Sequence, residues 1–224
     1  MLDQPPFPAE RVMPDYDYQS DARTFSQVLE DIGARDEPKL YLGELVNAFG
    51  ERGFGAMMVF LGLLNALASP IPGSTTVLGA PLLLICLQGL FLRDQLWLPR
   101  WALKSSLPRE EFRKVTARIS KPLKTIERLS CPRWLFMTNE VSEVLIGLAT
   151  SLLTVIVMLP IFGGNLFPSL FVALFGFGMM QRDGVAVALA WVGTAGFAAF
   201  VWLAWEIISR IFLATMGWWS QVFG

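Results

Sequence analysis

The stretch GFGAMMVFLGLLNALASPIPGSTTVLGAPLLLICLQGLFL, residues 53–92, decides the fold. It runs for forty residues without a charged side chain and is interrupted at Ser69-Pro70-Ile71-Pro72-Gly73-Ser74-Thr75. A bilayer's hydrocarbon core of roughly 30 Å takes about 20 helical residues to cross, so the stretch is long enough to cross twice or to enter and turn back. Two prolines and a glycine end a helix, and the backbone groups they free must be satisfied by protein or water, because lipid offers no partner. Two readings fit: a plain turn on the far side between two spans, or a re-entrant element whose tip lines a site.

The same design returns at residues 144–181, a second charge-free run broken by Pro160-Ile161-Phe162-Gly163-Gly164-Asn165 and then Pro168. Pro70-Ile71-Pro72-Gly73 aligns with Pro160-Ile161-Phe162-Gly163 at an offset of 90. Gly89 and Arg93-Asp94 align with Gly178 and Arg182-Asp183 at an offset of 89. One residue of slippage over that length suggests an internal repeat, and paired, proline-interrupted apolar segments in two halves point to a transport-type site.

Composition sets the class around these two runs. Apolar residues make up 54% of the 224 and charged residues 17%, which describes a membrane protein rather than a compact soluble domain. The net charge of −1 conceals segregation: eleven acids and five bases in residues 1–52, four acids and eleven bases in residues 93–133, and four acids and two bases in all the rest. Histidine is absent and the only cysteines are Cys86 and Cys131. No metal cluster, catalytic constellation, cofactor motif or disulfide framework is expected from that inventory, and an enzyme is the least favoured class.

In chain order, residues 1–19 read as a disordered acidic tail rich in proline, without the basic start and apolar core of a signal peptide. Residues 20–52 read as two amphipathic helices. The first has Ser20 as its cap and Phe25, Val28, Leu29 and Ile32 on one face. The second has Asp36 as cap, Pro38 in its first turn, and Leu42, Leu45, Val46 and Phe49 on one face. Their greasy sides suit the membrane surface or the helical bundle. Residues 53–92 form the first broken hairpin and 140–182 the second. Between them, 93–139 is a basic amphipathic segment with Trp97, Pro99 and Trp101 at the interface. Phe112, Val115 and Ile119 make an apolar stripe there before Pro122 breaks the helix. A final transmembrane helix at 183–210 and an interfacial tail at 211–224 complete an all-helical membrane fold.

Positive charge marks the cytoplasmic side, so the basic segment and the N-terminus both lie there, and both hairpins open toward it as a parallel repeat. An odd number of crossings between the hairpins would instead invert the repeat. Attraction of anionic lipid headgroups to residues 93–133 follows from the same charge; nucleic-acid binding lacks any accompanying motif.

Several residues carry a binding reading beside a plain one. Arg93-Asp94 and Arg182-Asp183 suit an anionic headgroup or a proton relay, or are charged helix ends at the cytoplasmic surface. Pro70, Pro72, Gly73, Ser74, Thr75 and Thr76 in the first break, and Pro160, Gly163, Gly164 and Asn165 in the second, can offer hydroxyls, an amide and backbone N–H groups to a phosphate or sugar; they also form good turns. Asn65 and Gln88 suit hydrogen bonds between helices, and Gly176, Gly178, Gly193 and Gly196 suit close packing. Glu140, Glu143 and Glu206 sit at span ends.

Taken together, Leu42-Gly43-Glu44-Leu45 with Gly50-Glu51-Arg52-Gly53, Ser69-Pro70-Ile71-Pro72-Gly73-Ser74, Ala80-Pro81-Leu82 with Gln88, Trp97-Leu98-Pro99, Ile126-Glu127-Arg128 with Pro132-Arg133, Leu159-Pro160-Ile161-Phe162-Gly163-Gly164-Asn165, Pro168 and Arg182-Asp183-Gly184 resemble the exopolysaccharide synthesis ExoD family of bacterial inner-membrane proteins. The likeness spans roughly residues 25 to 205 and rests on the order and spacing of the motifs. The family tends to carry a proline where Phe162 stands, so the second break is less rigid here. The resemblance implies a multi-pass inner-membrane protein supporting surface polysaccharide, and it supplies no catalytic residues. Three functions remain in view: binding or moving a lipid-linked saccharide or another anionic lipid at the paired breaks, ion or proton exchange for pH homeostasis through Asp94 and Asp183, and a structural subunit bound to copies of itself or to a larger membrane complex.

Overall fold

The computed structural model describes residues 24–50, 53–71, 73–91, 96, 98–159 and 164–223. The acidic tail at 1–19 and the expected cap Ser20 lie outside them. The observed elements are α1 (Phe25–Ala34), β1 (Lys39–Tyr41), α2 (Leu42–Phe49), α3 (Gly53–Ala68), α4 (Ser74–Gly89), α5 (Arg100–Leu103), β2 (Ser106–Pro108), α6 (Arg109–Leu129), a 3-10 turn (Leu135–Thr138), α7 (Glu140–Met158), α8 (Leu166–Gln181) and α9 (Gly184–Phe223). Among the described residues the regular structure is thus helical except for one small ribbon. It has two layers, a cap built from α1, α2, α6 and the ribbon, and a bundle built from α3, α4, α7 and α8 with α9 alongside.

The cap begins where Thr24 accepts a hydrogen bond from the Gln27 N–H and its own N–H donates to Gln27 Oε1, a reciprocal pair that starts α1 at Phe25. Glu127 reinforces that start from α6, accepting 2.8 and 2.5 Å bonds from the Ser26 N–H and hydroxyl. A carboxylate there also suits the positive end of the helix dipole. Phe25, Val28, Leu29 and Ile32 are all buried, as are Phe112, Ile119 and Leu123 on the facing side of α6. Phe25 stacks on Phe49 of α2 with centroids 4.9 Å apart, and Phe112 meets Phe60 in the middle of α3 at 5.7 Å. The greasy faces therefore lie on each other and on the bundle, not on lipid.

Two local expectations fail here. The residues after Asp36 do not start a helix at Pro38. Lys39–Tyr41 pairs antiparallel with Ser106–Pro108, Leu40 opposite Leu107, and α2 begins only at Leu42. The cause is Arg109, whose buried guanidinium gathers the carbonyls of Ile32, Glu37 and Lys39 and so holds this stretch extended. Nor does Pro122 break α6, which runs continuously over 21 residues. The proline leaves one carbonyl without its helical partner, a cost of about 3 kcal/mol in a helix interior. Burial of Phe112 and Ile119 before it and Leu123 after it on the same side offsets that cost, at about 1.5–3 kcal/mol per large side chain.

In the bundle, α3 runs antiparallel to α8 and α4 antiparallel to α7. Close approach depends on residues without side chains. A Cβ on Gly55 would lie 2.6 Å from the Gly176 carbonyl, one on Gly62 2.9 Å from the Ser169 carbonyl, and one on Gly147 2.9 Å from the Leu90 nitrogen. Small residues allow such contact where the hydrophobic effect gives helices no reason to associate in lipid. Gly55 lies beside Gly176 and Met180 at the entry end, while Thr75 and Asn165 meet at the broken end, so both hairpins point the same way.

Helix α9 is 40 residues long. Its first part packs on α8 through Trp191 against Phe175 at 5.3 Å and Phe197 against Phe171 at 6.4 Å. Antiparallel pairing at that register brings α9 level with the start of α8 near Phe200. Beyond this point Trp202, Leu203, Trp205, Ile208, Phe212 and Leu213 are all exposed. The helix continues without interruption past Arg210, which pairs with Glu206 at 2.8 Å, to Phe223.

Candidate functional site

Pro72, Arg93, Asp94, Pro160 and Gly163, five of the residues singled out in the sequence, lie outside the described residues. The others fall into two places at opposite ends of the bundle.

At the broken end, the first hairpin turns through Ser69, Pro70 and Ile71 into Gly73. Gly73 sits at φ +81°, a left-handed conformation that a glycine adopts without steric cost, and leads into α4. Ser74 closes the end of α3 by donating to the carbonyls of Ala68 at 2.8 Å and Ile71 at 2.7 Å. The next two hydroxyls reach the other hairpin. Thr76 donates to the Met158 carbonyl at 2.8 Å, and Thr75 accepts a 2.9 Å bond from the Asn165 amide. That same amide donates to the carbonyls of Val157 and Leu159, each at 2.9 Å, and so covers the unpaired end of α7. Asn165 and Thr75 are both 2% exposed. One side chain therefore binds the two breaks together, and Gly164 beside it is half-buried. Exposed Pro70 and Ile71 form the outer rim.

Asn165 spends its hydrogens inside the fold, but its Oδ1 atom has no partner. The same holds for Asn65 Oδ1, Ser69 Oγ and Ser169 Oγ, all buried along the meeting of α3 with α8. Asn65 does not bond between helices as its place in the sequence suggests; its amide donates to Leu61 of its own helix at 3.0 Å. The opposite meeting, α4 with α7, is different. There Thr150, Ser151 and Thr154 each donate to a carbonyl of the preceding turn of α7, and Thr154 Oγ1 also lies 3.6 Å from the Cys86 sulfur.

At the entry end, Asp183 is 3% exposed and tied down on every side. It accepts from Arg133 Nε at 3.0 Å and Nη2 at 3.3 Å, from the Ser130 hydroxyl at 3.1 Å and from the Val185 N–H at 3.0 Å. Burial pushes this carboxyl up, but the bonds from Arg133, Val185 and Ser130 outweigh it and leave it below the usual carboxylate range. The group thus stays ionised through neutral pH and joins the end of the basic segment to the first turn of α9. Among the readings of Arg182-Asp183, this geometry favours the helix end over a proton relay. Arg182, exposed and at φ +52°, terminates α8, and its side chain borders a cleft with Thr138, Asn139, Glu140 and Glu143.

Three features had no flag in the sequence. Arg109 is 1% exposed and uses all of its nitrogens: Nε donates to Glu37 O, Nη1 to Ile32 O, and Nη2 to Lys39 O and to the carboxylates of Glu37 and Glu44 at 3.2 Å each. Gly55 and Gly62 set the α3–α8 distance. Ser169 adds one of the unpartnered oxygens. Of the four glycines read as packing residues, Gly176 and Gly178 are tightly packed and Gly193 lies against the Phe171 ring, but Gly196 has nothing within 4 Å of where its Cβ would stand and so plays no packing role. No group of three or more carboxylates and cysteines suited to a metal ion occurs among the described residues.

Two helices, α7 and α9, are long and apolar enough to cross a membrane, and α3, α4 and α8 are shorter apolar helices bundled with them. A helical fold with two candidate spans suits a membrane protein. The chain belongs to the ExoD family: the family described as "Exopolysaccharide synthesis, ExoD" matches residues 25–203. Protein ExoD of Rhizobium meliloti is 30% identical over 191 residues, covering 77% of this chain and 76% of that protein. An uncharacterized protein of Synechocystis sp. is 28% identical over 163 residues, covering 71% of this chain and 77% of its own. No solved structure matches the chain.

Proposed function

We propose that this protein supports envelope polysaccharide synthesis from the bacterial inner membrane by binding or passing a lipid-linked saccharide at the joined tips of two re-entrant hairpins. The family ties the chain to exopolysaccharide synthesis. The observation that carries the finer reading is the Asn165 amide, which reaches Thr75 of one break and the end of α7 at the other. The offset of 90 that aligns Pro70 with Pro160 also sets Thr75 on Asn165, which supports a repeat with a two-fold relation at this contact.

Helix lengths support the depth. With 16 residues each, α3, α4 and α8 are roughly 24 Å long, short of the roughly 30 Å needed to cross. The cap covers α3 as far as Phe60, and α9 continues well beyond the tips with exposed apolar side chains on all sides. A bilayer centred near Phe200 would cover much of this length of α9 and put the tips within the membrane, with Thr75 and Asn165 buried in the bundle and Pro70 and Ile71 at the exposed rim. The basic outer face of α6 (Lys114, Arg118, Lys121, Arg128) then faces the cytoplasmic headgroups, where each charge is worth about 1 kcal/mol against anionic lipid.

The test is Asn165→Ala at the chromosomal locus, with exopolysaccharide and protein level measured together. The expected result is a loss of polysaccharide of at least about tenfold with the protein still in the membrane, the size of effect of about 1.4 kcal/mol lost at the working site. Normal polysaccharide at normal protein level refutes the reading. The thiol of Ile71→Cys, at a rim position now 61% exposed, should resist charged thiol reagents from the far side of the membrane; rapid labelling there would identify a plain turn.

A second reading, a structural subunit, is favoured by the outer face of α7. Val141, Leu145, Leu148, Leu152, Val155 and Leu159 recur there at alternating steps of four and three and are all exposed. Copurification of a stoichiometric partner, with tolerance of Asn165→Ala, would select it.

A further inference from the structure

Of six buried side-chain atoms without a hydrogen-bond partner among the described residues, four lie in one place: Asn65 Oδ1, Ser69 Oγ, Asn165 Oδ1 and Ser169 Oγ. Their residues are between 0% and 6% exposed. They are neighbours by register. Gly62 of α3 abuts the backbone at Ser169 and Ala173 of α8, Asn65 follows Gly62 by three residues on the same side of α3, and Ser69 stands in the turn directly after that helix. Ser169 precedes Ala173 by four residues on α8, and Asn165 caps the start of that helix. Antiparallel packing interleaves the two pairs over roughly two helical turns beside the breaks.

An unpaired polar group in a buried site costs about 1–3 kcal/mol, so four together favour a further molecule that completes them. The chemistry of that molecule can be read from the donors. Two amide oxygens accept only, and two hydroxyls both accept and donate. No charged residue occurs in α3 or α8. The negative end of the α3 dipole and the positive end of the α8 dipole meet here and oppose each other. A cation would face the α8 N-terminus and an anion would face the carbonyl end of α3 and two amide oxygens.

We propose that Asn65, Ser69, Asn165 and Ser169 form a binding site for a neutral hydroxyl-bearing guest, water or a saccharide hydroxyl, buried between α3 and α8 at the tips. The site stands apart from the carrier reading: the polysaccharide result with Asn165→Ala can fail while the measurements below succeed.

The test measures thermal unfolding of the full chain in phosphatidylethanolamine–phosphatidylglycerol nanodiscs, for the unaltered protein, Ser169→Ala, Ser69→Ala and Asn65→Leu. If a guest completes the site, each change removes one of its bonds and lowers Tm by about 2–4 °C. The two serine variants remove only an oxygen, so they decide the matter if the leucine does not fit. If the oxygens have no guest, Ser169→Ala and Ser69→Ala leave Tm unchanged or raise it, and the proposal falls. Glucose titration separates the two sources. A rise in Tm that Ser169→Ala abolishes assigns a saccharide hydroxyl, whereas no rise beside intact losses in the variants assigns water. A rise specific to sodium or potassium over choline chloride, abolished by Ser169→Ala, would overturn the proposal in favour of a cation.

Discussion

The cap and the bundle solve the same problem, holding helices together, by opposite means. In the cap, one arginine converges five bonds onto the carbonyls and carboxylates of three neighbouring segments, and the apolar faces of α1 and α6 close over aromatic contacts at Phe25, Phe49, Phe60 and Phe112. In the bundle, close approach comes from missing side chains at Gly55, Gly62, Gly147 and Gly176. Apolar burial out of water, the kind of contact the cap makes, is worth about 25 cal/mol per Å², while helices in lipid gain from close packing and from bonds between backbones and short polar side chains, the kind the bundle makes. The polar groups follow the same division: charged and fully partnered at Arg109, neutral and partly unpartnered at the tips.

The comparison is most severely tested by Arg109→Ala. It strands the buried Ile32 carbonyl and the part-buried carbonyls of Glu37 and Lys39 and separates two carboxylates from their cation, so the expected loss is about 3 kcal/mol. Because the arginine acts only in the cap, protease sensitivity should rise at residues 35–41 and the α3–α8 contact should survive. Limited proteolysis beside a disulfide-trapping assay across α3 and α8 would measure both. Parallel loss of the α3–α8 crosslink would show that cap and bundle fold as one unit.

A smaller effect is expected at the junction of the two regions. Asp183→Asn leaves Arg133 without its anion and weakens the anchor of α9, at about 1.5–3 kcal/mol for a charge-assisted bond. The sign with pH follows from the lowered native value. In the unfolded chain the carboxyl titrates near 3.9, so its contribution is complete above that value and disappears as pH falls through the lower native one. The difference in stability between the unaltered protein and the Asp183→Asn variant should therefore be constant through neutral pH and close only in strong acid. A difference that closes instead between about pH 5 and pH 7 would mean that Asp183 titrates near neutrality, the behaviour a proton-exchange site needs.

What the residues disclose in advance follows the same line. Long charge-free runs broken by Pro70-Ile71-Pro72-Gly73 and Pro160-Ile161-Phe162-Gly163 fix two hairpins because nothing else accommodates such runs. The charges of the basic segment set the expectation of which side is wet. Which basic residue is buried was not legible: Arg109 looks the same as Arg113 or Arg118 among eleven, and only the convergence of Ile32, Glu37 and Lys39 from 70 or more residues away singles it out. The helix-start signal at Asp36 and Pro38 was real and was overruled by that convergence. At the candidate site, Thr75 and Asn165 were legible as polar residues in matching breaks, but Ser69 and Ser169 read as ordinary turn and helix serines. Their unpartnered state depends on the neighbouring helix.

The finest distinction concerns glycine, since Gly176 and Gly196 look alike in the sequence. Gly176 is locked: a Cβ there would lie 2.6 Å from Met58 Cβ and 2.8 Å from the Gly55 carbonyl, and backbone cannot yield cheaply. Gly196 faces open space on α9. Gly196→Ala should then raise stability by about 0.5–1 kcal/mol, because it removes backbone freedom from the unfolded chain and meets no obstacle in the fold. Gly176→Ala should do the opposite. Thermal unfolding of the two variants in the same nanodiscs measures the contrast. A loss on Gly196→Ala would mean that this face of α9 is covered in the membrane by a closely packed helix, and would favour the structural-subunit reading over an isolated carrier.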